Sequence, residues 1–353
     1  MYPIFDGCYK YCDNKRLTII FVVINCGSTN TRLYLIKDQA VISKNEIPVG
    51  VNSTAATGNN AALKEGIAAG FQQLLAQESL TLNDVCFAIA SGIITSNLGL
   101  VEIPHLTAPV NIDDLATFAR QYRDPAIFPI DIPVVFIPGI KNAAGKGGWE
   151  GITSLDLMRG AIGVLSRHKP ALPCTIIELG STTKLIHIDA QGRLAGNMTS
   201  LSGQVYAAVL KETFIGSSVK SAEPQPDCFS EQIADAAYRS VQQSGLLRTI
   251  LLTRFIQFSL DTQPSERKLF CEAAMAADDM KLFADAQQQG FDLNSEMIFV
   301  GNAQRCHIYQ HMMKNVLGLT RPTTLITARD EIDRLVVEGA GYIAARVELG
   351  PQG

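Results

Sequence analysis

The run Leu17–Ile24 is almost wholly apolar and rich in β-branched residues, which predicts a buried strand. Shorter runs at Arg32–Ile36 and Gln39–Ser43 complete an expected three-strand meander. The period then changes. After Asn60, an expected cap, Leu63, Ile67, Phe71 and Leu74 recur at i, i+4, i+8 and i+11, which gives a helix one apolar face. Val85–Ala90 reads as a buried strand ending at Ser91-Gly92, and Pro133–Ile137 as another ending at Pro138-Gly139. The segment between them, which carries Val101-Glu102-Ile103-Pro104-His105-Leu106, reads as irregular. A helix is expected from about Leu155, with Met158, Ile162 and Leu165 inward and Asp156 and Arg159 on other faces.

The second half starts again at Thr175 with a hairpin, a helix near Gly203–Thr213 and a Pro- and Ser-rich loop at Ser217–Pro226. Helical stretches follow near 230–244, 247–259 and 264–289. Met297–Val300 reads as a strand running into Gly301-Asn302-Ala303 and a helix, and Thr324–Thr327 leads into a last helix containing Gly339-Ala340-Gly341.

The two halves share a phrase. Ile24-Asn25-Cys26-Gly27-Ser28-Thr29-Asn30-Thr31-Arg32-Leu33 returns about 150 residues later as Ile177-Glu178-Leu179-Gly180-Ser181-Thr182-Thr183-Lys184-Leu185, one residue shorter after the Gly-Ser-Thr. Each copy reads as strand, tight turn, strand, so the chain is expected to be a duplicated α/β protein: two lobes of mixed β-sheet with flanking helices and a ligand cleft between them. The expected boundaries are an N-terminal extension at 1–16, one lobe at 17–170 and a second at 171–353. A glycine turn with exposed amides and hydroxyls can wrap a phosphate. Gly27, Ser28 and Thr29, with Gly180, Ser181 and Thr182, are therefore candidate phosphate ligands.

Composition narrows the partners. The 353 residues are 47% hydrophobic and 18% charged with a net charge of −4, which gives no basic surface for nucleic acid or anionic membrane. The eight cysteines are scattered or set in apolar runs, which suits reduced thiols. Cys8 and Cys12 lack a second ligand pair for a metal. Leu17–Ile24 is too short to span a membrane and has no signal-cleavage flank. A cytoplasmic protein with small-molecule partners is expected, and a homo-oligomer is left open.

Two such hairpins resemble those of the superfamily of sugar kinases, Hsp70 and actin, whose actin-like ATPase (ribonuclease H-like) lobes bind nucleotide phosphates on these turns. Val300-Gly301-Asn302-Ala303 is similar to the third glycine element of that superfamily, which borders the adenosine. Further landmarks follow in order: Ser91-Gly92-Ile93-Ile94-Thr95-Ser96, Pro104-His105-Leu106, Pro138-Gly139-Ile140, Leu157-Met158-Arg159-Gly160, Leu179-Gly180-Ser181-Thr182-Thr183-Lys184 and Leu201-Ser202-Gly203-Gln204. With the opening Asn25–Arg32 they resemble the 2-dehydro-3-deoxygalactonokinases from about residue 20 to 345. The resemblance implies ATP and Mg²⁺ as cofactors and transfer of the γ-phosphate to a hydroxyl of a 2-keto-3-deoxy sugar acid.

The departures from the family fall on ionisable groups. Asn25 stands where the family has Asp, Ala161 and Ile162 where it has two Glu, Thr182 where it has His, and Gln204 where it has Glu. Such changes keep shape but remove charge and base. Glu178, where the family is apolar, is the candidate to hold the Mg²⁺ waters in place of Asn25, against a role as a strand-end residue. Lys184, Asn25, Gly301 and Asn302 complete the nucleotide candidates. Arg159 suits a bidentate grip on the sugar-acid carboxylate, against an ion pair with Asp156. Asp156 is the candidate general base, against a helix cap. Arg32, Ser96, Asn97 and Gln204 are further substrate candidates. The alternative function is a catalytically impaired member that binds nucleotide or sugar acid as a regulator or subunit, and a third reading is an ATPase coupled to a partner protein.

Overall fold

A computed structural model of the chain describes residues 8, 10, 18–38, 40–142, 160–221 and 228–348. They form two compact units: Met1–Pro170 with Arg193–Ala195 and Asp333–Gly353, and Ala171–Gly192 with Gly196–Ile332.

In the first unit the meander is β1 (Ile20–Cys26), β2 (Thr31–Lys37) and β3 (Ala40–Ile47), followed by helices α1 (Val51–Thr57) and α2 (Ala61–Gln77) and strand β4 (Phe87–Gly92). Next come β5 (Leu106–Thr107), α3 (Ile112–Phe118), β6 (Arg120–Tyr122), β7 (Val134–Phe136), β8 (Ile140–Lys141) and α4 (Gly160–His168). The main sheet runs β3-β2-β1-β4-β7-β6, with β1 antiparallel to β2 and parallel to β4. Leu63, Ile67, Phe71 and Leu74 of α2 are buried in one cluster with Val22, Ile24, Leu33 and Leu35 of the sheet. Each such side chain contributes roughly 1.5–3 kcal/mol by leaving water. On the opposite face, the directly paired Phe21 and Phe87 stack with centroids 5.0 Å apart.

The second unit repeats this plan with β9 (Cys174–Leu179), β10 (Thr183–Ile188) and β11 (Leu194–Ser200), then α5 (Ser202–Glu212), α6 (Ile215–Val219), α7 (Glu231–Ser244), α8 (Leu246–Ser259) and α9 (Pro264–Gln288). Strand β12 (Glu296–Gly301), helix α10 (Ala303–Val316), strand β13 (Thr323–Ile326) and helix α11 (Arg329–Arg346) close the chain. The sheet order is β11-β10-β9-β12-β13, with β9 antiparallel to β10 and parallel to β12. The sequence repeat is thus a repeat of topology. Four buried alanines of α9, Ala273, Ala274, Ala276 and Ala277, share a core with Ala234 and Ala237 of α7, where small side chains let two helices approach closely.

Helix α11 packs in the first unit, although it follows the second half in sequence. Tyr34 Oη donates to Asp333 Oδ1 at 2.8 Å, and Arg167 Nη1 to Glu338 Oε1 at 2.9 Å. A Cβ on Gly163 would fall 2.1 Å from the Leu335 carbonyl oxygen, so α4 and α11 touch through backbone. Cys8, expected in an extension ahead of the fold, is buried beside Gly341, and burial pushes its thiol up to about 12. An apolar face shows that a helix needs a cover; it does not show which sheet supplies it.

Other differences are local. Strand β3 runs on to Ile47, α6 occupies part of the expected 217–226 loop, and α1, α3 and β6 had no clear period to announce them. Among the described residues six cysteines are free thiols, but Cys86 is disulfide-bonded, contrary to the expectation of reduced thiols. Met158 and Leu155 of the expected helix lie outside the described residues.

Candidate functional site

Both Gly-Ser-Thr phrases form closed turns at the ends of their first strands. Gly27 N–H donates to Asn30 O at 2.9 Å, and Gly180 N–H to Thr182 O at 3.0 Å, which accounts for the one-residue difference. A second glycine abuts each turn. A Cβ on Gly50 would lie 2.5 Å from Gly27 O, and one on Gly203 would lie 2.4 Å from Gly180 O. Each precedes or opens the helix after the third strand, so both helix N-termini are brought onto the turns. In α1 the first amides are used there, Val51 N–H on Gly27 O at 3.2 Å and Asn52 N–H on Ser28 O at 2.9 Å.

A third glycine ends the fourth strand of each sheet. Gly92 is paired with Cys26 and Gly301 with Leu179, and a Cβ would lie 2.0 Å from Cys26 O or 2.7 Å from Leu179 O. Gly180 is different. Its nearest neighbours to a Cβ are 3.9 Å away, so among the described residues nothing requires glycine there. The position is exposed, and the missing side chain leaves the turn open to something from outside.

The charged candidates are placed by strand register. Glu178 stands opposite Lys184 in the β9–β10 hairpin, and Lys184 Nζ reaches Glu178 Oε2 at 3.0 Å. The equivalent opposed pair in the first hairpin is Asn25 and Arg32. Arg32 turns instead to its β3 partner Glu46, with Nε to Oε2 at 3.1 Å and Nη2 to Oε1 at 3.2 Å. Glu46 also accepts from Asn30 Nδ2 at 2.7 Å. Arg32 is therefore held by its own sheet. Ser28 is buried, whereas Thr29 and Ser181 are exposed and Thr182 half-buried.

The remaining candidates divide. Ser96 Oγ donates to Ile93 O at 2.7 Å and accepts from Leu98 N–H at 3.2 Å, which builds it into the turn after β4, with Asn97 exposed beside it. Gln204 follows the glycine packed on the second turn. Asn302 caps α10, its Oδ1 accepting from Arg305 N–H at 3.2 Å. Asp156 and Arg159 lie outside the described residues.

Two residues were missed. Arg305 Nη1 donates to Gly180 O at 2.6 Å, which puts a guanidinium on the second turn. Its signal was its place three residues after the Asn302 cap, since the first turn of a helix points back to the strand that feeds it. Beside it on α10, Gln304 donates to Glu272 of α9. Burial pushes the Glu272 carboxyl above its usual range, against the pull of Lys268, Gln304 and Arg305. Among the described residues no three His, Cys, Asp or Glu side chains converge as a metal site, and no helix is long and apolar enough to cross a membrane.

Residues 25–328 match the family model of 2-keto-3-deoxy-galactonokinase. The chain belongs to this family. The protein is therefore a sugar kinase, and its two main sheets are those of the actin-like ATPase fold. Among solved structures it is similar to a candidate 2-dehydro-3-deoxygalactonokinase from Sinorhizobium meliloti, 17% identical with a TM-score of 0.65 over 92% of this chain and 98% of that one. A candidate N-acetylglucosamine kinase from Porphyromonas gingivalis is 14% identical with a TM-score of 0.45 over 90% of this chain and 98% of that one. No curated protein matches the sequence of this sugar kinase.

Proposed function

We propose that this sugar kinase uses ATP to phosphorylate a hydroxyl of a 2-keto-3-deoxy sugar acid, 2-dehydro-3-deoxygalactonate or a close relative. One observation carries the reading. The same three glycines, one in the turn, one under the following helix and one ending the fourth strand, recur in both units within the stretch that matches the family. Turn amides and hydroxyls at Gly27–Thr29 and Gly180–Thr182 would hold the nucleotide's phosphates, with Arg305 as a cation on the second turn. Gly301 and Asn302 would border the adenosine.

The residues present fit a nucleotide better than they fit a metal. Gly180 leaves open space that a phosphate would fill, whereas Glu178, the carboxylate by which Mg²⁺ waters would be held, already answers Lys184. When bound, Mg²⁺ would neutralise charge on the phosphates. Lys184 would share Glu178 with that water shell. Arg159 is proposed to grip the sugar-acid carboxylate, and Asp156 to accept the hydroxyl proton, with Ser96, Asn97 and Gln204 against the sugar hydroxyls.

A binding member without turnover is favoured by a separate observation: Asn25 is neutral and Glu178 is tied to a cation. ADP release measured across a panel of 2-keto-3-deoxy sugar acids, with mass spectrometry of the product, separates the two. A phosphorylated acid supports the kinase. Nucleotide binding with no product from any acid supports the binder.

A further inference from the structure

A ring of buried hydroxyls stands behind the second turn. Asp279 of α9 is 5% exposed, and its two oxygens take Ser200 Oγ at 2.5 Å and Tyr309 Oη at 2.6 Å. Tyr309 Oη lies 3.1 Å from Thr183 Oγ1, which lies 2.7 Å from Ser202 Oγ. Ser202 N–H closes the ring on Ser200 Oγ at 3.2 Å. The members come from β10, β11, α5, α9 and α10, one from each.

The carboxylate fixes the direction of every bond. Its oxygens accept, and Ser200 Oγ and Tyr309 Oη donate to them. Tyr309 oxygen is then left to accept from Thr183, and Thr183 oxygen to accept from Ser202. Arg305 Nη2 takes the second lone pair of Thr183 at 3.5 Å. Each hydroxyl proton is committed, and the arm from Ser202 through Thr183 and Tyr309 to Asp279 points one way, so its bonds strengthen one another. Thr183 directly follows the turn, and Ser202 directly precedes Gly203, whose Cα lies against Gly180 and Ser181. The ring therefore grips the turn from both sides. The first unit makes the corresponding tie in one bond, Thr31 Oγ1 to Val49 O at 2.7 Å, with Val49 just before Gly50.

We infer that Asp279 is a positioning residue for the second Gly-Ser-Thr turn: through Tyr309 and Ser200 it sets Thr183 and Ser202, and so presents the turn to the phosphates of a nucleoside diphosphate. This rests on the nucleotide reading above. Asp279 touches no ligand; it acts through the hydroxyls. Asp279→Asn replaces one acceptor by a donor, so at least one hydroxyl must turn round, whereas Tyr309→Phe cuts the ring at a single oxygen.

Calorimetry on the full chain with ADP plus Mg²⁺, and separately with adenosine, tests this. Both single variants should weaken ADP about tenfold and change adenosine less than twofold, since adenosine carries no phosphate. The double variant should be no weaker than the worse single, because both break one ring. Equal weakening of ADP and adenosine, or unchanged ADP affinity in variants that keep the wild-type circular dichroism and melting, overturns the inference. If Asp279→Asn does not fold, Tyr309→Phe and Ser200→Ala carry the same comparison. Absence of ADP binding by the wild-type chain overturns the nucleotide reading and this inference together, whereas wild-type binding with unchanged variants overturns only the inference.

Discussion

Lys184 Nζ sits 3.0 Å from Glu178 Oε2 across directly opposed positions of one hairpin, and the matching positions in the other hairpin hold Arg32 and the neutral Asn25. The two hairpins share one register, but only the second carries an acid opposite its cation. Arg32 found a substitute in Glu46 on the neighbouring strand, so both cations are answered within their own units.

If the acid now serves the metal, Glu178→Gln should cost a factor of roughly a hundred to a thousand in Mg²⁺-dependent ADP release. Asn25→Asp should leave the rate unchanged or raise it, because a carboxylate returns charge to the water shell. Rates against Mg²⁺ concentration for the two variants give the answer. Full activity in Glu178→Gln would remove this residue from the metal site.

Gly180→Ala and Gly203→Ala should behave differently although both lie at the second turn. A Cβ on Gly180 meets only ordinary contacts, so the protein should keep its melting temperature while nucleotide affinity drops. A Cβ on Gly203 would lie 2.4 Å from Gly180 O, and overpacking of this kind costs about 1–3 kcal/mol. Melting curves and calorimetry on the pair distinguish open space from packed space.

Arg305→Ala should weaken ADP binding about tenfold, the size of a lost charge-assisted hydrogen bond. Arg305→Lys should recover only part of it, because a point charge cannot hold Gly180 O and offer a second donor in the same plane. Equal affinity in all three proteins would leave Arg305 a structural cap of the turn.

Glu272 predicts a pH effect of definite sign. Its carboxyl is held by burial above the value of 4.5 it has when unfolded, so the native state binds the extra proton and loses stability as pH rises through that interval. Glu272→Gln abolishes the ionisation. It should stabilise the protein more at pH 8 than at pH 4 in urea unfolding, and an equal effect at both would show that Glu272 titrates normally.

The hairpins, the α2 face and the strand-end glycines could be read from the residues because each depends on neighbours a few positions away. Leu63, Ile67, Phe71 and Leu74 needed only the helical period. The partners of Arg32, Lys184 and Arg305 could not be read, since they depend on strand register and on which helix returns to which turn. Glu272 and Asp279 lie in a helix whose sequence is mostly small and apolar, where nothing local separates a solvated acid from a buried one. The mutual contact of Glu178 and Lys184 follows from the hairpin register, which pairs the two positions directly.

The return of α11 to the first unit reverses the order in which a ribosome can complete this molecule. Tyr34 finds its partner Asp333 only after 299 further residues have been made. Strands β9 to β13 emerge earlier than α11, so the unit encoded later can close while the one encoded first still lacks a helix over Gly163 and Arg167. A released chain truncated after Ile332 would hold all the strands of the C-terminal unit and lack the helix that covers the Gly163 face of α4.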